Sequence, residues 1–291
     1  MRRRWPLMRS KPLIYFCAFG DEAQFAMLSV ALESLATFSR VRCDIVVLTN
    51  AASQEILSRY LAAFRKTLRI TVKQVEAADV QQYTHARYRI VRFDALRHYG
   101  PVLYLDTDVV CDGDLRPLLR KLRTVQGICA LPEGHLLSPH GFWGRTLFLQ
   151  DPGLGVRPSD PGISTGVLGG ASMAALRRPF GLILDHIEAW FAAGNAPLFY
   201  DQANANYVMV KHGLFDGTVM GKHLRVVGNE ADADPSRRLG LAHFAGGVGN
   251  NTPKLLRMRI YRAALAPEAP PPRRGWFGRT VGRALDRVVG P

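Results

Sequence analysis

Pro101-Val-Leu-Tyr-Leu-Asp106-Thr-Asp108-Val-Val-Cys-Asp-Gly-Asp114-Leu is the stretch that decides how this chain folds. It follows Gly100 and opens as an unbroken apolar run, the pattern of a strand covered on both faces. Where the run stops, two carboxylates stand one residue apart, Asp106 and Asp108. In an open α/β sheet, ligands sit beyond the carboxyl ends of the strands, so chemistry is expected here. Two carboxylates leaving a buried strand together repel each other unless a cation lies between them. Hard oxygen ligands of this kind suit Mg2+ or Mn2+, which in turn hold phosphorylated substrates. A solvated acidic turn is the plain alternative, but such turns rarely follow so apolar a run.

Upstream, Leu13–Ala18 predicts a first strand, and Asp21 with Gln24 a capping box that opens a helix running to about Thr37. Cys43–Leu48 reads as a second buried strand. Ser53–Lys66 carries Ile56, Leu57, Tyr60, Leu61 and Phe64 at helical spacing, and Arg69–Val75 alternates as a third strand. Thr84–Tyr99 reads as an arginine-rich helix that leads into the strand ending at Asp106. This alternation predicts an α/β domain with a mostly parallel central sheet and helices on its faces. Downstream, strands are expected at Gly127–Leu131, Thr165–Leu168, Leu224–Val227 and Leu241–Phe244, and helices at Phe180–Ala193 and Asp201–Lys211. Residues 132–162, rich in Gly, Pro and aromatics, read as a long functional loop, a lid or a binding surface.

The chain has 291 residues, enough for one large core, with 47% hydrophobic and 21% charged residues. A formal net charge of +14 asks for a polyanionic partner: nucleic acid, an anionic membrane surface or a phosphorylated substrate. Cys17, Cys43, Cys111 and Cys129 form no Cys-x-x-Cys pair, which argues for reduced thiols in a cytosolic setting. The basic start, residues 1–11, is followed by a run too short for an export signal, and no stretch reaches the ~18 apolar residues of a membrane span. The expected organisation is a basic extension (1–11), one domain (12–263), and a Pro-rich linker with a basic tail (264–291). In that tail Arg279, Arg283 and Arg287 recur every four residues, with Phe277, Val281, Leu285 and Val288 along another helical face. Such a helix suits an anionic membrane, so the expected place is the cytoplasm, peripheral on the inner face of the plasma membrane.

Five segments, in order, give the chain a likeness to a known family. They are Arg89-Ile-Val-Arg-Phe-Asp-Ala-Leu, Val102-Leu-Tyr-Leu-Asp-Thr-Asp-Val-Val, Ser164-Thr-Gly-Val-Leu, Asp201-Gln-Ala-Asn-Ala-Asn206 and Ala242-His-Phe-Ala-Gly246. Together they resemble the family 8 glycosyltransferases, retaining enzymes of the GT-A type, notably the bacterial lipopolysaccharide galactosyl- and glucosyltransferases. The resemblance implies transfer of a hexose from a UDP-sugar to a saccharide or glycolipid acceptor. It implies that Asp106, Asp108 and His243 bind the metal, and an imidazole ligand makes Mn2+ more natural than Mg2+. The metal would bridge the donor's two phosphates and neutralise the diphosphate as the glycosidic bond breaks. By the same likeness Arg89 reaches the donor, Gly246 lets the backbone approach a phosphate, and Ser164 stands where many members carry Asn at the donor sugar. The family places a Lys-Pro-Trp soon after that glycine. Here the order is altered to Thr-Pro253-Lys254, and Lys254 takes the lysine's place. Asp201 is implied to accept a sugar hydroxyl as well as to cap its helix, and Gln202 to lie near the reacting carbon. An amide is a poor nucleophile, so a front-face displacement within an ion pair is implied rather than a covalent intermediate. Glu133 is implied to face the substrates.

Three other readings compete. The phosphatases of the haloacid-dehalogenase type also have Asp-x-Asp after an apolar strand, but usually at the start of the fold, with a later Gly-Asp-x-x-x-Asp that is missing here. A sugar-nucleotide pyrophosphorylase needs a Gly-rich basic loop after its first strand, and Ala18-Phe-Gly-Asp-Glu is not one. A basic nucleic-acid- or membrane-binding protein without catalysis would leave the aspartate pair unexplained, and the basic segments lack the aromatic interleaving of RNA binders, so no nucleic-acid partner is expected.

Overall fold

The computed structural model describes residues 10–229, 232–246 and 251–265. In chain order the elements are β1 (Leu13–Cys17), α1 (Glu22–Phe38), β2 (Asp44–Thr49), α2 (Gln54–Leu61), β3 (Ile70–Gln74), α3 (Val80–His85), β4 (Val102–Leu105), β5 (Val109–Cys111), α4 (Arg116–Leu122), β6 (Ile128–Cys129), β7 (Pro132–His135), α5 (Arg145–Gln150), β8 (Pro161–Ile163), β9 (Val167–Gly170), α6 (Met173–Ala192), α7 (Gln202–Lys211), β10 (Phe215–Asp216), β11 (Leu224–Val226), β12 (Leu241–His243) and α8 (Asn251–Ala264). Seven strands form the main sheet in the order β10-β6-β9-β4-β1-β2-β3. The strands β4, β1, β2 and β3 are parallel, and β9 runs antiparallel to both β4 and β6. The expected mostly parallel sheet is therefore present, with the chain turning from β1 toward β3 on one side and returning to β4 on the other. That reversal opens a crevice at the carboxyl ends of β1 and β4, where Asp106 emerges.

The apolar runs are continuous because both faces of the sheet are covered. Along β1, Ile14 and Phe16 enter one core cluster with α1 and α8, while Leu13 and Tyr15 enter the other with α6. A second, three-stranded sheet, β11-β12-β5, carries the chain past the crevice again, with β12 antiparallel to β5.

Four local expectations are revised. Thr84–Tyr99 is not an α-helix: α3 ends at His85 and 3-10 turns follow at Ala86–Arg92 and Asp94–Leu96. Three residues per turn align Arg87 with Ile90 and Tyr88 with Val91, and all four are buried. Residues 132–162 are not one open loop. β7 and β8 pair into a two-stranded ribbon and α5 lies between them. The ring of Trp143 presses so closely on Gly134 and Gly162 that a methyl group at either would collide with it. The capping box is half made. Asp21 accepts the amide of Gln24 at 3.0 Å, but the Gln24 side chain accepts from the Thr107 hydroxyl at 2.7 Å, between the two aspartates. Finally α8, which the Gly- and Pro-rich approach to it hides, buries Leu255, Met258 and Tyr261 at helical spacing, with Leu265 buried just past its end.

The basic start (residues 1–9) and the tail beyond residue 265 lie outside the described residues. Among the described residues no helix is long and apolar enough to cross a membrane.

Candidate active site

The turn after β4 is pinned at both ends. The amide of Asp106 donates to the Gly166 carbonyl at 2.9 Å, and the carbonyl of Asp108 accepts the amide of Phe244 at 3.0 Å. Because β12 pairs with β5, His243 stands opposite Val109 and so beside Asp108. The three predicted ligands converge: one ligand atom each from Asp106, Asp108 and His243 lie within 4.8 Å of one another. His243 Nδ1 is buried with no hydrogen-bond partner, and buried Asp108 Oδ1 has His243 Nε2 at 3.2 Å without a well-formed hydrogen bond. Buried polar atoms are costly when unpaired or poorly paired, so two of them in one acidic cluster fit a bound divalent cation. The donor set of two carboxylates and one imidazole suits Mn2+.

The two aspartates do not face each other unscreened. Asp108 has Lys254 Nζ 2.6 Å from its Oδ2 and His243 Nε2 3.2 Å from its Oδ1. Burial pushes its carboxyl up, but His243 and Lys254 outweigh that and hold it well below the usual carboxylate range. Asp106, with 27% of its side chain exposed, has Arg87 Nη2 at 3.4 Å and accepts from the Tyr104 hydroxyl. Its pKa is raised, mainly by burial, against the pull of Arg87. Burial pushes the His243 imidazole down, and the Asp108 charge more than offsets it, leaving the pKa raised.

Arg87 is the hub of the opposite wall. Its Nη1 donates to the Thr165 carbonyl at 2.6 Å, its Nε donates to the Thr84 carbonyl at 2.9 Å and lies 3.5 Å from Asp201 Oδ2, and its guanidinium lies 4.9 Å from the centre of the Tyr104 ring. Asp201 also accepts the Tyr88 hydroxyl at 2.6 Å and makes no capping bond to α7. Gln202 Oε1 accepts the amide of Thr165 at 3.3 Å. Asn206, one turn along α7, brackets Ile163 with two 2.8 Å hydrogen bonds, one from the Ile163 amide and one to its carbonyl. These bonds tie the start of α7 to the Ser164-Thr-Gly segment.

The remaining predicted residues are placed as follows. Arg89 points away from the aspartates, onto the Glu76 carbonyl, in a cavity of about 570 Å3 that His85, Glu188 and Phe191 also line. Arg87, two residues earlier, is the arginine that joins them. Ser164 is buried, its amide donating to Leu131 at 2.9 Å. Gly246 has φ +86° with open space around it, a conformation that favours glycine. Glu133 lies half-buried on β7. Lys254 reaches Asp108 from α8.

Sequence reading missed Arg87, Tyr88, Tyr104 and Gly166. The glycine is required by close approach: a methyl group there would lie 2.8 Å from Nε2 and 3.0 Å from Nδ1 of His243. Gly166→Ala is therefore expected to displace the imidazole and weaken Mn2+ binding by about a hundredfold or more, measured by calorimetry on folded protein. An unchanged affinity would show that His243 does not hold the metal.

No protein-family model matches the sequence, and no curated protein matches it. Solved structures do. The apo structure of the bifunctional glycosyltransferase WbbM superposes with a TM-score of 0.63 at 17% identity, covering 89% of this chain and 50% of that one. This chain thus spans half the length of WbbM. Apo mouse xyloside xylosyltransferase 1 gives 0.56 at 15% identity, over 84% of this chain and 99% of that one. The galactosyltransferase LgtC, in complex with donor and acceptor sugar analogues, gives 0.56 at 16% identity, over 89% and 97%. With its crevice, crossover and second small sheet, the chain has the GT-A glycosyltransferase fold.

Proposed function

We propose that the chain is a metal-dependent glycosyltransferase that moves a hexose, galactose or glucose, from a UDP-sugar to a saccharide of lipopolysaccharide or another cell-surface glycan. One observation carries the reading: two carboxylates and an imidazole converge at the crevice mouth, His243 Nδ1 buried there without a hydrogen-bond partner, flanked by Lys254 and Arg87. In this reading Asp106, Asp108 and His243 hold Mn2+ or Mg2+, which supplies charge neutralisation to the departing diphosphate. Lys254, beside Asp108, would offer its ammonium to a phosphate of the donor, and Gly246 would let the backbone come close. Arg87 takes the donor-side role expected of Arg89, because it keeps Asp106 and Asp201 in fixed relation. Asp201 accepts a sugar hydroxyl, and Gln202, whose carbonyl oxygen accepts the Thr165 amide at 3.3 Å, lies near the reacting carbon. Ser164 and Glu133 border the donor and acceptor sugars.

Incubation with UDP-galactose and UDP-glucose plus Mn2+ tests the reading by UDP release. Release that needs Mn2+ and is lost in Asp106→Asn is expected; no release from either donor would contradict it. The likeness that suggests the donor also implies retention, so the product's anomeric proton should report an α linkage from an α-linked donor. A β linkage by NMR would overturn that part.

The termini belong to the same reading. The basic segments 1–11 and 264–291 flank the catalytic domain and hold it to the anionic cytoplasmic face of a membrane, near a lipid-linked acceptor. The full chain should float with anionic liposomes at low salt, and a chain ending at Pro267 should not. Equal flotation of the two would sink the idea.

A further inference from the structure

The elements that bring His243 and Lys254 to the aspartates meet again, one step deeper, at Asp112. This residue follows β5, four positions past Asp108, and none of its surface is exposed. Its Oδ1 accepts the Gly240 amide at 2.7 Å, while its own amide donates to the Gly240 carbonyl at 3.0 Å. Its Oδ2 accepts the Tyr261 hydroxyl at 2.7 Å. Gly240 leads into β12 three residues before His243. Tyr261 lies on α8 seven residues past Lys254, about two turns along the same face. One carboxylate thus holds both elements that complete the metal site.

Arg225, on β11, closes the arrangement. Its Nε lies 3.8 Å from Asp112 Oδ2, and its guanidinium sits 5.1 Å from the Tyr261 ring centre and donates to the Tyr261 hydroxyl. The same group donates to the Asp234 carbonyl at 2.9 Å. The Tyr261 ring packs edge-on against Phe244, the residue after His243, at 5.5 Å. A buried carboxylate is a poor source of stability compared with apolar packing, but its hydrogen bonds fix direction where packing fixes only proximity. Direction matters on α8: a rotation by one residue, about 100°, would carry Lys254 off Asp108.

We propose that Asp112 is a positioning residue for the transfer reaction, setting His243 through Gly240 and Lys254 through Tyr261. The role rests on the glycosyltransferase reading for what Lys254 does, but not for where His243 stands. It is tested on the full chain with two probes, Mn2+ alone and UDP at saturating Mn2+, each followed by calorimetry. Asp112→Asn should weaken Mn2+ alone by about tenfold or more. Tyr261→Phe, which removes one hydroxyl and no bulk, should weaken UDP at saturating Mn2+ by about tenfold. In a Lys254→Ala background Tyr261→Phe should add less than about a twofold change, because the tyrosine acts through the lysine.

A merely structural network would lower the Tm and give Tyr261→Phe the same effect on UDP in both backgrounds. That result overturns the proposal, as does wild-type Mn2+ affinity in Asp112→Asn. Should Asp112→Asn fail to fold, the tyrosine–lysine cycle decides alone. Wild-type protein that takes Mn2+ but no UDP would sink the glycosyltransferase reading and the Lys254 half of this proposal, while the Mn2+ measurement on Asp112→Asn still decides the His243 half.

Discussion

Asp108→Asn is expected to cut glycosyl transfer by at least about a thousandfold, since a bound metal supplies several kcal/mol to a departing diphosphate. It is also expected to lower stability by about 3 kcal/mol, the scale of a broken buried ion pair. The second effect distinguishes it from Asp106→Asn. From sequence alone, removing either carboxylate should relieve repulsion and leave the fold as stable or slightly more so. The structure leads to the same expectation for Asp106, whose pKa is raised chiefly by burial, and whose replacement by Asn still offers Tyr104 an acceptor and leaves Arg87 paired with Asp201. It fails for Asp108, because Lys254 and His243 would remain buried without their counter-charge; both side chains are about a tenth exposed. The pH dependence follows from the same pairing. Asp108 has a depressed pKa in the folded state, so its stabilisation is fully present above the unfolded carboxylate's pKa of about 3.9 and is lost as pH falls below it. The stability gap between wild type and Asp108→Asn should be widest near neutrality and should close on acidification, as followed by denaturant unfolding. Transfer by Asp108→Asn at the wild-type rate and matched metal would end the assignment.

Arg87→Lys is expected to reduce transfer by about a hundredfold or more and to cost roughly 2–4 kcal/mol of stability. The guanidinium bridges the half-buried Asp106 carboxylate, the buried Asp201 carboxylate and two carbonyls at once. A lysine ammonium carries the charge but cannot reach all four positions from one point. Arg89→Lys, changing a side chain that among the described residues hydrogen-bonds to the Glu76 carbonyl, should leave both quantities near wild type. Kinetics of the two variants side by side settle which arginine serves the donor. Activity in Arg87→Lys with its loss in Arg89→Lys would reverse the assignment made here.

The difference between those arginines shows where sequence stops. Sheet and crevice were legible because a strand buried on both faces leaves an uninterrupted apolar run, and β1, β2 and β4 all do. The aspartate pair was legible because charge at the end of such a run is rare and needs a partner, whereas His243 was reached only through the family resemblance. That Arg87 and not Arg89 contacts Asp106 and Asp201 required the pitch of a short helical stretch, since residues two apart fall on different faces of either an α or a 3-10 winding. α8 was hidden by glycines at 246, 247 and 249 and by Pro253, which mark a turn in sequence and in fact precede the first buried turn of the helix. The need for Gly166 was invisible for a different reason: it arises from an imidazole more than seventy residues away. The pairing of each aspartate with its own cation likewise depends on contacts across the fold, so the sequence suggested only their mutual repulsion.

The central claim is that Asp106, Asp108 and His243 together hold the metal that engages the donor diphosphate. A crystal grown with Mn2+ and UDP, measured for anomalous scattering at the manganese edge, tests it most directly. One strong peak is expected within about 2.3 Å of an oxygen from each aspartate and a nitrogen of His243, with the UDP phosphates on its open side and Lys254 moved from Asp108 toward them. Manganese bound elsewhere with UDP present, or an intact Lys254–Asp108 pair beside a metal-free cluster at saturating Mn2+, would contradict the account.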